Sequence, residues 1–151
     1  NKQKIKEFQE AQAELQRRLA ARSYASQGSA RRGDILGTVG NTGFSFGAHL
    51  HLEARDSSGN VFNPAPLING GQWQRPVDGG FVSQAYGVPS SLYIRGYHPG
   101  IDYAGVTNRQ VRAVADGEIV SRGWLGPYGY AVVIRHGDGI FSVYGHMNPP
   151  R

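Results

Sequence analysis

Five histidines and one aspartate hold most of the chemistry in this 151-residue chain. In His49-Leu-His-Leu-Glu53 the two histidines are two residues apart in an alternating, strand-like pattern, so both rings point to one face. That spacing suits two imidazoles converging on one centre. His98 and Asp102, in His98-Pro-Gly-Ile-Asp102, are separated by a Pro-Gly pair that calls for a turn. Such a turn can bring a nitrogen and an oxygen ligand onto one ion. His146 lies just past a strand end in Tyr144-Gly-His-Met147, and His136 marks a strand-to-turn step. Each residue has an ordinary alternative: a lone His is commonly just hydrogen-bonded, Asp102 could anchor a turn, and His146 could cap one. Because the chain has no Cys, any metal must be held by imidazole and carboxylate.

The elements that must position these residues differ along the chain. Residues 1 to 23 contain neither Gly nor Pro and consist of good helix formers. Ile5, Phe8, Leu15 and Leu19 fall on an a/d-like seam that Gln12 interrupts. Three heptads are marginal as a free helix in water. The helix must therefore dock on the body, pair with another helix, or end a longer coiled coil. Residues 27–30 read as a linker.

From Arg31 the pattern is β. Ile35–Val39 is a short apolar run closed by Gly40-Asn-Thr-Gly43, and His49–Arg55 alternates as a half-buried strand does. Asp56–Asn60 is a hairpin turn with Val61-Phe62 returning, and Asn63-Pro-Ala-Pro66 ends the pairing. Further strands are expected at 80–84, 110–115, 118–122, 131–135 and 141–144, with Asp116-Gly117 and Gly137-Asp-Gly139 as turns. The body reads as one antiparallel β domain.

Composition agrees. Gly, at 22 residues, is about twice its usual share, and 8 Tyr and 6 Phe accompany it. A mostly helical bundle, a collagen repeat and a disordered acidic tail fit poorly. The formal charge of +5 suits an anionic partner without choosing one. No apolar run approaches the ~18 residues of a membrane span. The chain starts at Asn1 with no visible signal peptide, which suggests a processed product or an excerpt.

Several stretches together are similar to the LytM/lysostaphin-type M23 zinc metallopeptidases. Gly33–Arg55 (GDILGTVGNTGFSFGAHLHLEAR) resembles the zinc-site end of that domain. Tyr97–Gly105, Val111–Val120, Gly129–Gly139 and Tyr144–Met147 resemble the remainder, and Arg75–Gly80 with Ser83–Gly87 its opening strand and turn. The resemblance implies a mainly β fold, an antiparallel sheet or sandwich of the duplicated-hybrid-motif type, preceded here by an α-helix. It implies one Zn2+ per complete site, held by His98 and Asp102 of the HxxxD motif and by His51, the second His of HxH. It places His49 and His146 beside the metal-bound water as catalytic residues and leaves His136 structural. Two His and one carboxylate leave a tetrahedral zinc an open position, the mark of a catalytic site. With no HExxH motif to supply a carboxylate base, an imidazole is the expected proton acceptor. Sequence does not say whether that is His49 or His146.

The blocks stand in permuted order. The family runs from RPV through HxxxD and Tyr-x-His to GDILG and HxH, whereas here the HxH block comes first. Residues 1–30 read as helix and linker. In the peptidase-like domain, 31–151, residues 31–68 match the family's C-terminal block, 69–74 a linker and 75–151 its N-terminal block. The order fits a circular permutant, complementation between chains, or segments joined out of genetic order. The activity implied is zinc-dependent hydrolysis of peptide bonds in bacterial cell-wall peptidoglycan, in the periplasm, the wall or secreted. The alternative is a non-catalytic regulator or peptidoglycan-binding module on the same fold. Peptidoglycan peptides are the expected partner; helix-mediated partnering or self-association stays open. The aromatics lack the Lys/Arg-flanked pattern of a specific nucleic-acid binder.

Overall fold

An uninterrupted helix-forming segment followed by many short Gly-punctuated strands folds into one large antiparallel sheet with a helix laid across it. The computed structural model describes residues 2–21 and 24–150. Helix α1 spans Lys2–Ala20. Ten strands follow: β1 (Ser29–Ala30), β2 (Ile35–Thr38), β3 (Leu50–Arg55), β4 (Val61–Phe62), β5 (Gly79–Gln84), β6 (Ile101–Val106), β7 (Gln110–Arg112), β8 (Gly117–Trp124), β9 (Tyr130–His136) and β10 (Phe141–Met147). A short helix, α2, covers Ala65–Asn69 after the Pro-rich stop, and a 3-10 turn occupies Gly126–Tyr128.

The main sheet runs β1-β8-β9-β10-β3-β6-β5, with β4 appended to β3, and β2 pairs with β7 in a second layer. Strands from the early and late parts of the chain interleave. β3 lies between β10 and β6, with His51 opposite both Gly145 and Asp102. β2 joins β7, and β1 joins β8. The reversed motif order therefore does not divide the sheet: both blocks meet in the register of β3 within one chain.

Beneath one face, the main core packs Leu50, Leu52, Val132, Ile134, Tyr144 and Met147 with Leu36 of β2 and Val111 of β7. On the other face, Leu15 and Leu19 of α1 meet Val120, Val133, Phe141 and Val143. Phe8 packs edge-on against Tyr93 and Tyr128, at 5.2 and 5.1 Å between centroids. Burying one such ring stabilises by roughly 1.5–3 kcal/mol, which is how a helix marginal in water becomes fixed. Of the three expectations for this helix, docking on the body is what the structure shows.

Four sequence expectations need correction. Gln12 does not merely interrupt an apolar seam; it is buried with Phe8, Leu15 and Leu19, and its Oε1 accepts the Ile94 N–H at 2.9 Å. Residues 101–106, not expected as a strand, form β6, and Ser29-Ala30, expected as linker, pair with β8. The His49–Arg55 segment is not half-buried: every residue of β3 is buried. Its apolar residues face the core, while its polar row, His51, Glu53 and Arg55, is roofed by side chains from α1 and the loops.

Candidate functional site

The site is built on the β3–β6 pair. Register places His51 beside Asp102, and their Nδ1 and Oδ1 atoms are 2.8 Å apart. The turn before β6 brings in His98, whose Nε2 is 3.2 Å from Asp102 Oδ2. That turn needs Gly100: a Cβ there would stand 2.2 Å from the Leu52 carbonyl oxygen, so only glycine lets the HPGID segment lie this close to β3. The backbone of His98 is also tied to the preceding loop, through Gly87 N–H to its carbonyl and its own N–H to Val88.

These three residues present ligand atoms within 4.8 Å of one another, and all three are buried. The hydrogen bonds decide which nitrogens are available. His98 Nδ1–H donates to the Ala85 carbonyl at 3.1 Å, leaving Nε2 with a lone pair aimed at the cluster. That Nε2 is buried and makes no hydrogen bond among the described residues, a costly state for a polar atom that a cation between it and the Asp102 carboxylate would relieve. His51 Nε2 is engaged from behind by Glu53 Oε2 at 2.8 Å, so Nδ1 is the nitrogen facing Asp102. Two imidazoles and a carboxylate suit zinc or another borderline cation. The residues fit a bound metal.

Local charge reinforces the arrangement. Burial by itself would lower the His51 pKa, but hydrogen bonds and charge from Asp102 and Glu53 outweigh it and hold the ring up at about 9. Burial would raise Asp102, yet the hydrogen bond from His51 and the adjacent His51 and His98 rings keep it well below the usual carboxylate range. Glu53, which burial would also raise, is pulled down to about 2 by Arg55 and His51. A metal taking the Nδ1 side of His51 would displace a proton, so uptake is linked to proton release.

Two further imidazoles flank the cluster. The His49 and His146 rings are 4.7 Å apart, and His146 is 6.1 Å from His51. His49 Nε2 lies 3.7 Å from Asp102 Oδ2, while its Nδ1 donates to the Gly47 carbonyl at 2.7 Å. His146 Nδ1 donates to the Thr42 carbonyl at 2.7 Å. His146 adopts φ of 61° at a register shift in β10. A non-glycine residue in left-handed backbone within a bulge is strained, and bulges re-aim side chains. Burial, helped by the charge of His51, lowers the His146 pKa to about 4, so the ring is neutral near pH 7.

An open groove of about 580 Å³ runs past His49 and Asp102, with Phe46 and Val88 among its lining residues. Phe46 is 92% exposed, an apolar surface beside the polar cluster.

All five residues singled out from sequence, His49, His51, His98, Asp102 and His146, converge here. His136 does not. It lies elsewhere on the sheet, between the Asp116 carbonyl and Ser142 Oγ at 2.7 and 2.8 Å. Sequence reasoning missed Glu53, Arg55, Tyr128 and Thr42. Glu53 was within reach, since the period-two rule that pairs His49 with His51 puts Glu53 and Arg55 on the same face. Tyr128 and Thr42 arrive from loops, and no local signal marks them.

Comparison with known proteins finds similarity over parts of the chain. Residues 96–150 match the model of peptidase family M23, a stretch that includes His98, Asp102 and His146 but not the HLHLE strand. The chain is 49% identical over 51 residues to the DD-carboxypeptidase/endopeptidase Mpg of Neisseria meningitidis, covering 34% of this chain and 12% of that protein. It is 46% identical over 37 residues to the murein hydrolase activator EnvC of Escherichia coli, covering 24% and 9%. It is 35% identical over 83 residues to the outer membrane antigenic lipoprotein B of Haemophilus influenzae, covering 54% and 19%. The chain thus spans less than a fifth of the length of each of these relatives. No solved structure gives a significant match.

Proposed function

Starting from residues 96–150 as an M23 peptidase segment that shares one site with β3, we propose that the chain carries the catalytic centre of a zinc-dependent endopeptidase. Its substrate class is the peptide part of bacterial peptidoglycan, and its location the cell envelope. The observation that carries this reading is the convergence of His51, His98 and Asp102, with the buried Nε2 of His98 making no hydrogen bond among the described residues and two more imidazoles alongside. His51, His98 and Asp102 would hold the zinc, which when bound supplies a Lewis acid and lowers the pKa of water.

The chain's own residues supply the remaining functions. The groove lined by Phe46 and Val88 receives an extended peptide and places it against Asp102 and His49. Both flanking rings have Nδ1–H committed to a backbone carbonyl, so each directs Nε2 into the site. One Nε2 accepts the proton of the attacking water and returns it to the leaving amine. The other, carrying a second proton taken from solvent on Nε2, donates a hydrogen bond to the developing oxyanion.

Similarity to a protein named as a murein hydrolase activator favours one second reading, a regulator acting by contact on the same fold. Metal analysis combined with digestion of purified peptidoglycan separates the two. The enzyme reading expects one zinc per chain and chelator-sensitive release of cleaved peptides. Zinc-replete protein that cleaves nothing, yet stimulates a separate hydrolase, would establish the regulator instead.

A further inference from the structure

Behind the ligand cluster lies a second buried charge that the proposed reaction does not use. Glu53 is fully buried, and both of its carboxylate oxygens are occupied. Oε2 accepts from His51 Nε2 at 2.8 Å and from the Tyr128 hydroxyl at 2.8 Å. Oε1 accepts from Arg55 Nε at 2.8 Å. Arg55 is itself buried and donates from Nη1 to the Gly59 carbonyl at 2.7 Å. Tyr128 is walled in by Phe8 of α1, with ring centroids 5.1 Å apart. Burying a carboxylate and a guanidinium together is weak evidence for stability, since well-packed apolar residues of similar volume commonly do as well. A functional reason for retaining them is therefore worth seeking, and the geometry offers one at His51.

We propose that Glu53 is a positioning residue for the metal site: it fixes the His51 ring with Nε2–H directed backwards, so that Nδ1 is presented to the ion shared with His98 and Asp102. The inference rests on the zinc reading above and names what that reading leaves open, the group that orients the third ligand. Arg55 and Tyr128 hold Glu53 in turn, each by a charged or hydroxyl hydrogen bond. The carboxylate–histidine–metal arrangement orients a ring and raises its basicity, and losing the outer partner typically costs about 10–100-fold in metal affinity. Glutamine cannot replace Glu53 without loss, because its amide presents only one acceptor to the two donors at His51 and Arg55. Aspartate keeps the charge but withdraws the carboxylate by one methylene, so it separates position from charge.

The test measures zinc dissociation constants by chelator competition for the parent, Glu53→Gln and Glu53→Asp chains, each checked for folding by circular dichroism and melting. Both variants should bind zinc about 10–100-fold more weakly. In the zinc-loaded parent, long-range proton–nitrogen NMR should show His51 metallated at Nδ1 with a protonated, hydrogen-bonded Nε2; that Nε2–H should lose its downfield shift in Glu53→Asp. A folded variant with zinc affinity within twofold of the parent, or a parent metallated at His51 Nε2, would overturn the assignment. If Glu53→Gln does not fold, Glu53→Asp alone decides, since it leaves Arg55 with an ionic partner. Failure of the enzyme reading looks different: the parent binds zinc, the variants bind it weakly, and peptidoglycan stays intact. A parent that binds no zinc overturns both.

Discussion

His51 and Asp102 face each other across two hydrogen-bonded strands, with Glu53 behind one and the HPGID turn beside the other. His49 and His146 are held differently. Each is fixed by a hydrogen bond from Nδ1 to a carbonyl of the 42–47 loop, and His146 sits on strained backbone at a bulge. Of the three residues that could hold a metal, His51 and Asp102 are thus set by sheet register and a buried charge network and His98 by the adjoining turn, whereas the two beside them depend on one loop. A ligand set needs several atoms fixed to within a few tenths of an ångström at once, and strands with paired backbones provide that. Proton-handling groups need reach and adjustable contact with substrate, which a loop at the rim of a groove allows.

The largest effect should come from the ligand side. His98→Ala removes the buried Nε2 and should abolish stoichiometric zinc binding and hydrolysis together, as read by metal analysis after dialysis. Retention of one zinc per chain would show that the ion is held elsewhere. On the loop side, His146→Ala should leave zinc content unchanged while turnover of peptidoglycan falls ~10²–10⁴-fold. Loss of the metal in that variant would erase the distinction between the two groups.

Next comes the helix that roofs the ligand side. Phe8→Ala should lower stability by ~3–5 kcal/mol, measured from the denaturant midpoint, because the ring fills the space between Tyr93 and Tyr128. A change below about 1 kcal/mol would mean that the helix is dispensable to the fold.

The smallest effect concerns His136, outside the site. Burial lowers its pKa below the usual 6.5 despite the Asp116 carbonyl. The unfolded chain therefore takes up a proton that the folded ring resists. The stability His136 contributes is present above about pH 6.5 and is lost as pH falls through its lower folded-state pKa. His136→Gln should show a melting temperature that declines less steeply between about pH 7 and pH 5 than the parent's, by no more than the equivalent of ~1.4 kcal/mol per pH unit. Parallel slopes would show that its proton is not excluded by the fold.

Much of this was legible in the residues. The helix from the Gly- and Pro-free start, the hairpin at 56–60 and most late strands follow from periodicity and turn chemistry, which are local properties. His49, His51, His98 and Asp102 were legible because they sit in two short motifs with ligand-like spacing, and His146 through the resemblance of its Tyr-x-His stretch. What escaped was contextual. β6 is hidden because the Pro99-Gly100 turn stands immediately before Ile101. Glu53 looked like the outward residue of a half-buried strand, since alternation reports which residues share a face and not what covers that face. Gln12 looked like a defect in a seam because its partner, the Ile94 N–H, lies 82 residues away.

The amino-acid sequence by itself determined which side chains could ligate a metal or move a proton, that no thiolate joins them, and that helix and strands succeed one another in this order. Only the tertiary structure decided that two blocks in reversed order share one sheet, with Gly145, His51 and Asp102 side by side on three strands. It also decided that the polar row of β3 is buried. Register between distant strands is set by the combined packing of both sheet faces. The roof over Glu53 comes from Phe8, Tyr93 and Tyr128, on an N-terminal helix and two separate loops, and no local pattern encodes their meeting.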